Sequence, residues 1–366
     1  MRSGRVPRTG NSEDARGRDM ATVTIVNIER SEEEAAWDRY VGEHPEATGY
    51  HLAAWRHVIM KVFGHPTFYY MARGAQGDVK GILPLVFLKS PLFGKFLVSL
   101  PYVNYGGVIA DSPEAREALL GAVSGQAKEL GASHIELRHT GGPELAWPKK
   151  DHKVSMRLDL PARFDDLMKA FPPKLRSQVR RGEKEGMTVH VGGVDMLDDF
   201  YQVFSQNMRD LGTPVYRKQF FAAILSAFPK DATIAVVRYE GNPVATGFLY
   251  GFRHTLEIPW ASSDRRYARC APNMFLYGAV LRYACEQGYR CFDFGRSSKQ
   301  SGTYRFKEQW GAKPVQLHWY YWLRGGGPLP ELNPQNPKYA LAIRLWQQLP
   351  VSVTTMVGPI IAKYLP

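Results

Sequence analysis

The chain has 366 residues, 44% of them apolar and 22% charged, with a formal net charge of +12. Single cores rarely grow past roughly 250 residues, so two domains are expected, and the positive surplus suits acidic partners such as nucleic acid, nucleotide-linked precursors, cofactor phosphates or anionic lipid without choosing among them. Three cysteines without ligand spacing argue against disulfides or structural zinc, no metalloprotease, P-loop or dinucleotide-binding signature occurs, and no run of 18 apolar residues offers a transmembrane helix.

Residues 1–19 hold five arginines and no apolar cluster, a composition expected to stay disordered. Met20 is expected to be the true start, because "ATVTIVNIE" after it alternates like a first strand. "HPTFYYMARG" and "GDVKGILPLVFLKS" then read as strand, turn and strand, and "KFLVSLPYVNYGGVIAD" as another. "SPEAREALLGAVSGQAKELG" reads as a helix capped by Ser112, with Pro113 at its first position and Glu114 in its first turn; "SHIELRH" closes the half as a strand.

Residues 163–230 read as helical. In "PPKLRSQVRRGEKEG" the four-residue spacing of Arg176, Arg180 and Lys184 puts three cations on one helical face, either a phosphate-binding stripe or a solvated surface. The earlier order then returns. "DATIAVVRYEGNPVATGFLYGFRHTLEIPWASS" gives three strands with turns at 240–243 and 252–254, "APNMFLYGAVLRYACEQG" a helix ended by Gly288, and "YRCFDFG" a strand. Each half is β-β(-β)-α-β. A Gly/Pro connector, "LRGGGPLPELNPQNPK", leads to one or two short amphipathic helices expected to cover one domain.

An antiparallel meander feeding a helix that returns as a neighbouring strand resembles the GNAT acyltransferase fold, and two copies resemble the FemAB-type peptidyltransferases. "SLPYVNYGGVIAD", "SQNMRDLGTPVYRKQFF" and "FDFGRSSKQSGTYRFKEQWGAKP" are similar to segments of FemAB-like proteins found beside exosortase and PEP-CTERM sorting systems. The resemblance implies an α/β (α+β) fold with tandem GNAT-like (acyl-CoA N-acyltransferase) domains, mixed mostly antiparallel sheets and flanking helices. The bounds expected are 20–155 for the first domain, 156–324 for the second and 325–366 for linker and tail. It also implies transfer of an acyl or aminoacyl group to an amine or hydroxyl of a cell-envelope or exopolysaccharide-related acceptor, in the cytoplasm or at the inner face of the membrane.

Acyl transfer needs a positioned nucleophile, a path for its proton and donors for the developing oxyanion. "FDFG" ends a strand and "GRSS" is expected to turn away, placing Asp293, Arg296 and Ser297 at the strand's carboxyl end, with a polar loop bringing Tyr304, Phe306, Lys307 and Trp310 back over them. Asp293 reads as a base or as a turn-former paired with Arg296. Arg296 reads as a contact to carboxylate or phosphate, or as that structural bridge. Trp310 and Tyr304 are either stacking surfaces or core lids. Asn104 and Tyr105 are expected to line the opposite wall unless "YVNYGG" is a bulged strand edge, and Trp260 to face the cleft.

In the Fem ligases a Phe-Lys pair here binds the end of the acyl donor, so the resemblance assigns Phe306 to binding and Lys307 to oxyanion or phosphate contact, against a solvated lysine beside a core Phe. It likewise gives Arg209 a substrate-phosphate role, against a structural one beside Asp210. The GNAT pyrophosphate turn falls on "DRRYARCAPN", where Arg266, Arg269 and Asn273 are present but the family's two glycines are absent. Acyl-CoA and aminoacyl-tRNA therefore both stand as donors, with no metal. The alternatives are an aminoacyl-tRNA-dependent peptidoglycan-bridge ligase, and a non-catalytic binder of anionic envelope polymer or a membrane-peripheral scaffold using "TTMVGPIIAKYL".

Overall fold

The computed structural model describes residues 24–90, 94–142, 144–330 and 337–365, so the arm expected at 1–19 lies outside the described residues. The first half runs β1 (Thr24–Asn27), α1 (Ser31–Glu43), α2 (Ala54–Phe63), β2 (Thr67–Arg73), β3 (Val79–Ser90), β4 (Gly94–Val98), β5 (Ile109–Ala110), α3 (Pro113–Glu129), β6 (His134–His139) and β7 (Lys149–Lys150). Next come β8 (Lys153–Asp159), α4 (Phe164–Ala170), α5 (Pro173–Lys184), β9 (Thr188–Gly192), α6 (Leu197–Leu211) and α7 (Lys218–Ala227). The second meander is β10 (Ala232–Tyr239), β11 (Asn242–Phe252) and β12 (Thr255–Ser263), followed by α8 (Pro272–Glu286), β13 (Cys291–Ser298), α9 (Gly302–Glu308), β14 (Lys313–Gln316), β15 (His318–Leu323), α10 (Pro337–Gln348) and α11 (Val351–Ala362).

Two mixed sheets result, ordered β1-β2-β3-β4-β6-β15-β7 and β14-β8-β13-β12-β11-β10-β9, with β5 paired to β3. Each sheet holds one parallel pair, β4 with β6 and β12 with β13, because a helix, α3 or α8, carries the chain back to the starting end. The cap predicted for α3 is present: Ser112 Oγ accepts from the Ala115 N–H at 3.2 Å.

Four expectations need correcting. The two sheets do not divide at residue 155, for β8 crosses it to pair with β13, while β15, from after the second meander, pairs with β6 in the first sheet. The segment read as one strand over 95–111 breaks after Val98, where Tyr102 and Gly106 take positive φ. β9 interrupts the region expected to be helical, because it pairs with β10 and forms the edge of the second sheet. Finally, "GRSS" does not turn away: β13 continues through it on a bulge at Gly295 (φ 74°), and the polar loop beyond winds into α9, capped by Ser301.

The halves are welded together. An aromatic cluster joins Tyr50, Trp55, Phe96 and Tyr105 to Phe200, Phe221, Phe248 and Tyr250, each ring burying 150–250 Å² in typical cores. At the β11–β12 turn Arg253, itself at positive φ, donates to the carbonyls of Val41, Gly42 and His44 at 2.6–3.0 Å. A cation at the carbonyl end of α1 is favoured by charge as well as by hydrogen bonding.

Candidate active site

A cavity of about 420 Å³ opens between the halves. Its first-half wall comes from residues 45–51, Tyr105–Ile109 and Arg138–Gly142; its second-half wall includes Arg157, Tyr250, Glu257 and Asp293. His51 and His139 stand in it, and burial drops the first to about 4 and the second to about 3, so both are neutral at pH 7. Gly107 is needed beside them, since a Cβ there would lie 2.5 Å from the His139 ring.

The chemistry converges where β12 and β13 part. Their parallel register runs Thr255↔Cys291, Leu256↔Phe292, Glu257↔Asp293 and ends there, although both strands continue. The alternation of a strand turns Leu256 and Ile258 into the core and Glu257 to the other face, beside Asp293. Asp293, 1% exposed, accepts from the Gly295 N–H (2.8 Å), Ser155 Oγ (2.5 Å), the Tyr105 hydroxyl (2.7 Å) and Arg157 Nε (3.1 Å). Four donors, one of them charged, satisfy both of its oxygens.

Among the described residues no cation pairs with Glu257. Buried, with the Asn104 amide donating to it and the Tyr50 hydroxyl nearby, its carboxyl is pushed up to about 8, first by burial and then by the charge of Asp293.

On the far side of the Gly295 bulge lies a positive corner. The guanidinium groups of Arg138 and Arg296 sit 4.7 Å and 5.1 Å from the ring of Trp319, and Lys153 adds a third cation. Glu136 is engaged by Arg138 Nε (2.7 Å) and the Tyr321 hydroxyl (2.9 Å). Among the described residues nothing accepts a hydrogen bond from the Arg296 side chain, and burial together with Arg138 lowers its pKa to about 10. Lys307, 7% exposed, runs beneath the bulge and donates to the carbonyls of Gly295 (2.9 Å) and Arg296 (3.0 Å).

The sequence-predicted residues divide sharply. Asp293, Arg296, Lys307, Asn104 and Tyr105 lie close together in space, but Asp293 pairs with Arg157 rather than Arg296, which is drawn off by Trp319. Ser297 is buried in the β13–β8 ladder with its hydroxyl unpartnered. Trp310 is a core residue at 0% exposure, edge-on to Phe171; Phe306 packs on Tyr277, and Tyr304 borders the same core. Trp260 turns from the cavity to pack against Phe220, Phe221 and Phe248.

Several candidate phosphate contacts are spent on structure. Arg209 pairs with Asp210 (2.8 Å) and donates to the Leu349 carbonyl (3.1 Å), tying α6 to the tail. Arg176 closes the end of α4 through the Phe171 carbonyl (2.9 Å), and Arg266 is clasped by Asp264. Arg180, Lys184 and Arg269 are exposed away from the cavity lining, with Asn273 in the first turn of α8.

Glu257, Arg157 and Arg138 were missed. A signal existed in the internal repeat: "HIELRH" and "CFDFGR" are the strands after the two helices, and their registers equate Glu136 with Asp293 and Val98 with Glu257. Only the second half carries a carboxyl at both places.

Residues 172–308 match the acetyltransferase (GNAT) domain family. Over 154 residues the chain is 23% identical to UDP-N-acetylmuramoylpentapeptide-lysine N(6)-alanyltransferase of Weissella viridescens, a match spanning 41% of this chain and 45% of that relative. Among solved structures it is similar to FemX (TM-score 0.61, 18% identity, 87% of this chain and all of the other) and to L-PGS from Bacillus licheniformis (0.51, 17%, 90% and 97%). A tandem GNAT protein from the clavulanic acid biosynthesis pathway also aligns (0.51, 10%, 84% and 100%). These likenesses establish a FemX-like fold of paired GNAT-like units.

Proposed function

We propose that the protein is a Fem-like acyltransferase or aminoacyltransferase that uses the cavity between its halves to move an acyl group onto an amine or hydroxyl of an envelope precursor. The observation that carries this reading is the buried Glu257, whose acidity is set near neutrality beside the Asp293–Arg157 pair in a cavity wall. A general base works best when its acidity matches the working pH.

In this mechanism the acceptor nucleophile enters the cavity and Glu257, as carboxylate, takes its proton as the N–C or O–C bond forms. The proton then passes to the leaving oxygen or sulfur of the donor. Asp293 is fixed by its four donors, and its charge helps to keep Glu257 basic enough to act. Arg157, whose side chain is 31% exposed at the cavity, faces the developing oxyanion, and Arg296 holds the anionic part of a substrate. Lys307 acts through the bulge it anchors rather than on the acyl group.

The donor is acyl-CoA or aminoacyl-tRNA, and the Weissella relative makes UDP-N-acetylmuramoyl-pentapeptide the first acceptor to try. Purified protein incubated with that acceptor and each donor class in turn, with products read by mass spectrometry, tests the proposal. Transfer abolished by Glu257→Gln would support it. Anionic polymer binding with no transfer from either donor class would favour the non-catalytic binder.

A further inference from the structure

Of eight large apolar side chains left exposed among the described residues, five gather at the C-terminal helices. They are Leu341 (68% exposed) and Leu345 (61%) on α10, Met356 (69%) and Ile360 (57%) on α11, and Leu211, which ends α6 beside Ile343. Their orientation follows from what holds the helices down. On α10 Ile343 packs against Gly212 and Gln347 donates to the Asp210 carbonyl (3.1 Å), so Leu341 and Leu345, about 200° away around the helix, point outward. On α11 Thr354, Gly358 and Ala362 are buried, Gly358 against Val215, which leaves Met356 and Ile360 on the opposite face.

A helix on the surface of a globular protein ordinarily turns a polar face to water. This one does not. From Leu345 to Ala362 there is no charged residue, and beyond Glu331 no acidic one; the charges at the two ends of the hairpin's apolar stretch are Arg344 and Lys363. Neither helix is long or apolar enough to cross a bilayer. We propose that the outer face of α10 and α11 docks the protein on an anionic lipid surface, with Leu345, Met356 and Ile360 entering the interfacial layer and Arg344 and Lys363 at the level of the lipid phosphates.

Apolar side chains that enter the layer and flanking cations that meet anionic headgroups are the two terms that hold an interfacial helix. A second copy of the chain fits the same face less well. A two-fold contact centred there would bring Arg344 and Lys363 near their own copies, with no acidic residue on either helix to offset them. The docking is independent of the transfer chemistry, so either can fail alone.

The test is flotation of the full chain with vesicles of phosphatidylcholine alone and with about one third phosphatidylglycerol. Binding is expected only to the anionic vesicles and should weaken with salt. Leu345→Ser/Met356→Ser/Ile360→Ser should remove it while circular dichroism and melting temperature stay unchanged, since these side chains are exposed; that loss separates the hairpin from the basic residues before Met20. Arg344→Gln and Lys363→Gln should each weaken binding about fivefold. No flotation of the wild-type chain, or binding untouched by the triple substitution, would overturn the proposal. So would a dimer in light scattering that the triple substitution splits while vesicles remain unbound.

Discussion

Glu257 and Asp293 face each other across the last rung of the β12–β13 parallel pairing, one carboxyl raised to about 8 and the other held by Arg157. The raised group carries a stability signature. Between its ordinary value of 4.5 and about 8 the folded state keeps a proton that the unfolded state has lost, so stability falls as pH rises through this window and levels off above it. Glu257→Gln should flatten that part of the melting-temperature profile between pH 5 and 8, with acyl transfer reduced about 100-fold or more. A wild-type profile identical to that of the variant would show that Glu257 is already ionised near pH 5.

Asp293→Asn removes the charge that helps to raise Glu257. The acid limb of the kcat/KM profile should then shift down by about one pH unit, because Glu257 loses its proton more easily. The same change leaves Arg157 without its carboxylate and should cost about 3 kcal/mol, read by urea unfolding. An unmoved acid limb would detach the two carboxyls from one another.

Arg296 offers the opposite balance. Its guanidinium has a ring but no ion-pair partner or hydrogen-bond acceptor among the described residues, and the repulsion of Arg138 outweighs the attraction of Glu136. Arg296→Met keeps a flexible stem against Trp319 and discards the charge, so the melting temperature should hold or rise. Affinity for an anionic substrate, measured by calorimetry, should fall about tenfold, the worth of one charge-assisted contact. A less stable protein with unchanged affinity would make Arg296 structural.

The repeat and the caps were legible because they rest on local signals: Ser112-Pro113 starts a helix wherever it falls, and Gly288 ends one. What the sequence could not show was partnership across the halves. Arg157 lies 136 positions from Asp293, and Asn104 lies 153 from Glu257, pairings made by the packing of one half on the other and by nothing local. Trp310 and Trp260 misled for a related reason. An aromatic residue reads the same in a cleft and a core, and only the arrival of Phe171 or Phe221 against its ring decides.

Lys307 separates a residue that holds the site from one that touches the donor. Its ammonium spends two of its three protons on the Gly295 and Arg296 carbonyls, and burial lowers it to about 8. Those carbonyls belong to the bulge that also aims the Gly295 N–H at Asp293, so loosening it displaces the carboxyl pair and the positive corner together. Lys307→Met, close in length and uncharged, should therefore lower kcat about tenfold, the effect of a small misplacement, while donor affinity stays within about twofold. A direct contact to the donor's phosphate or carbonyl would act differently: donor affinity would drop, and the loss would shrink at high salt as the missing charge was screened. Stopped-flow binding beside steady-state kinetics, at low and high salt, distinguishes the two.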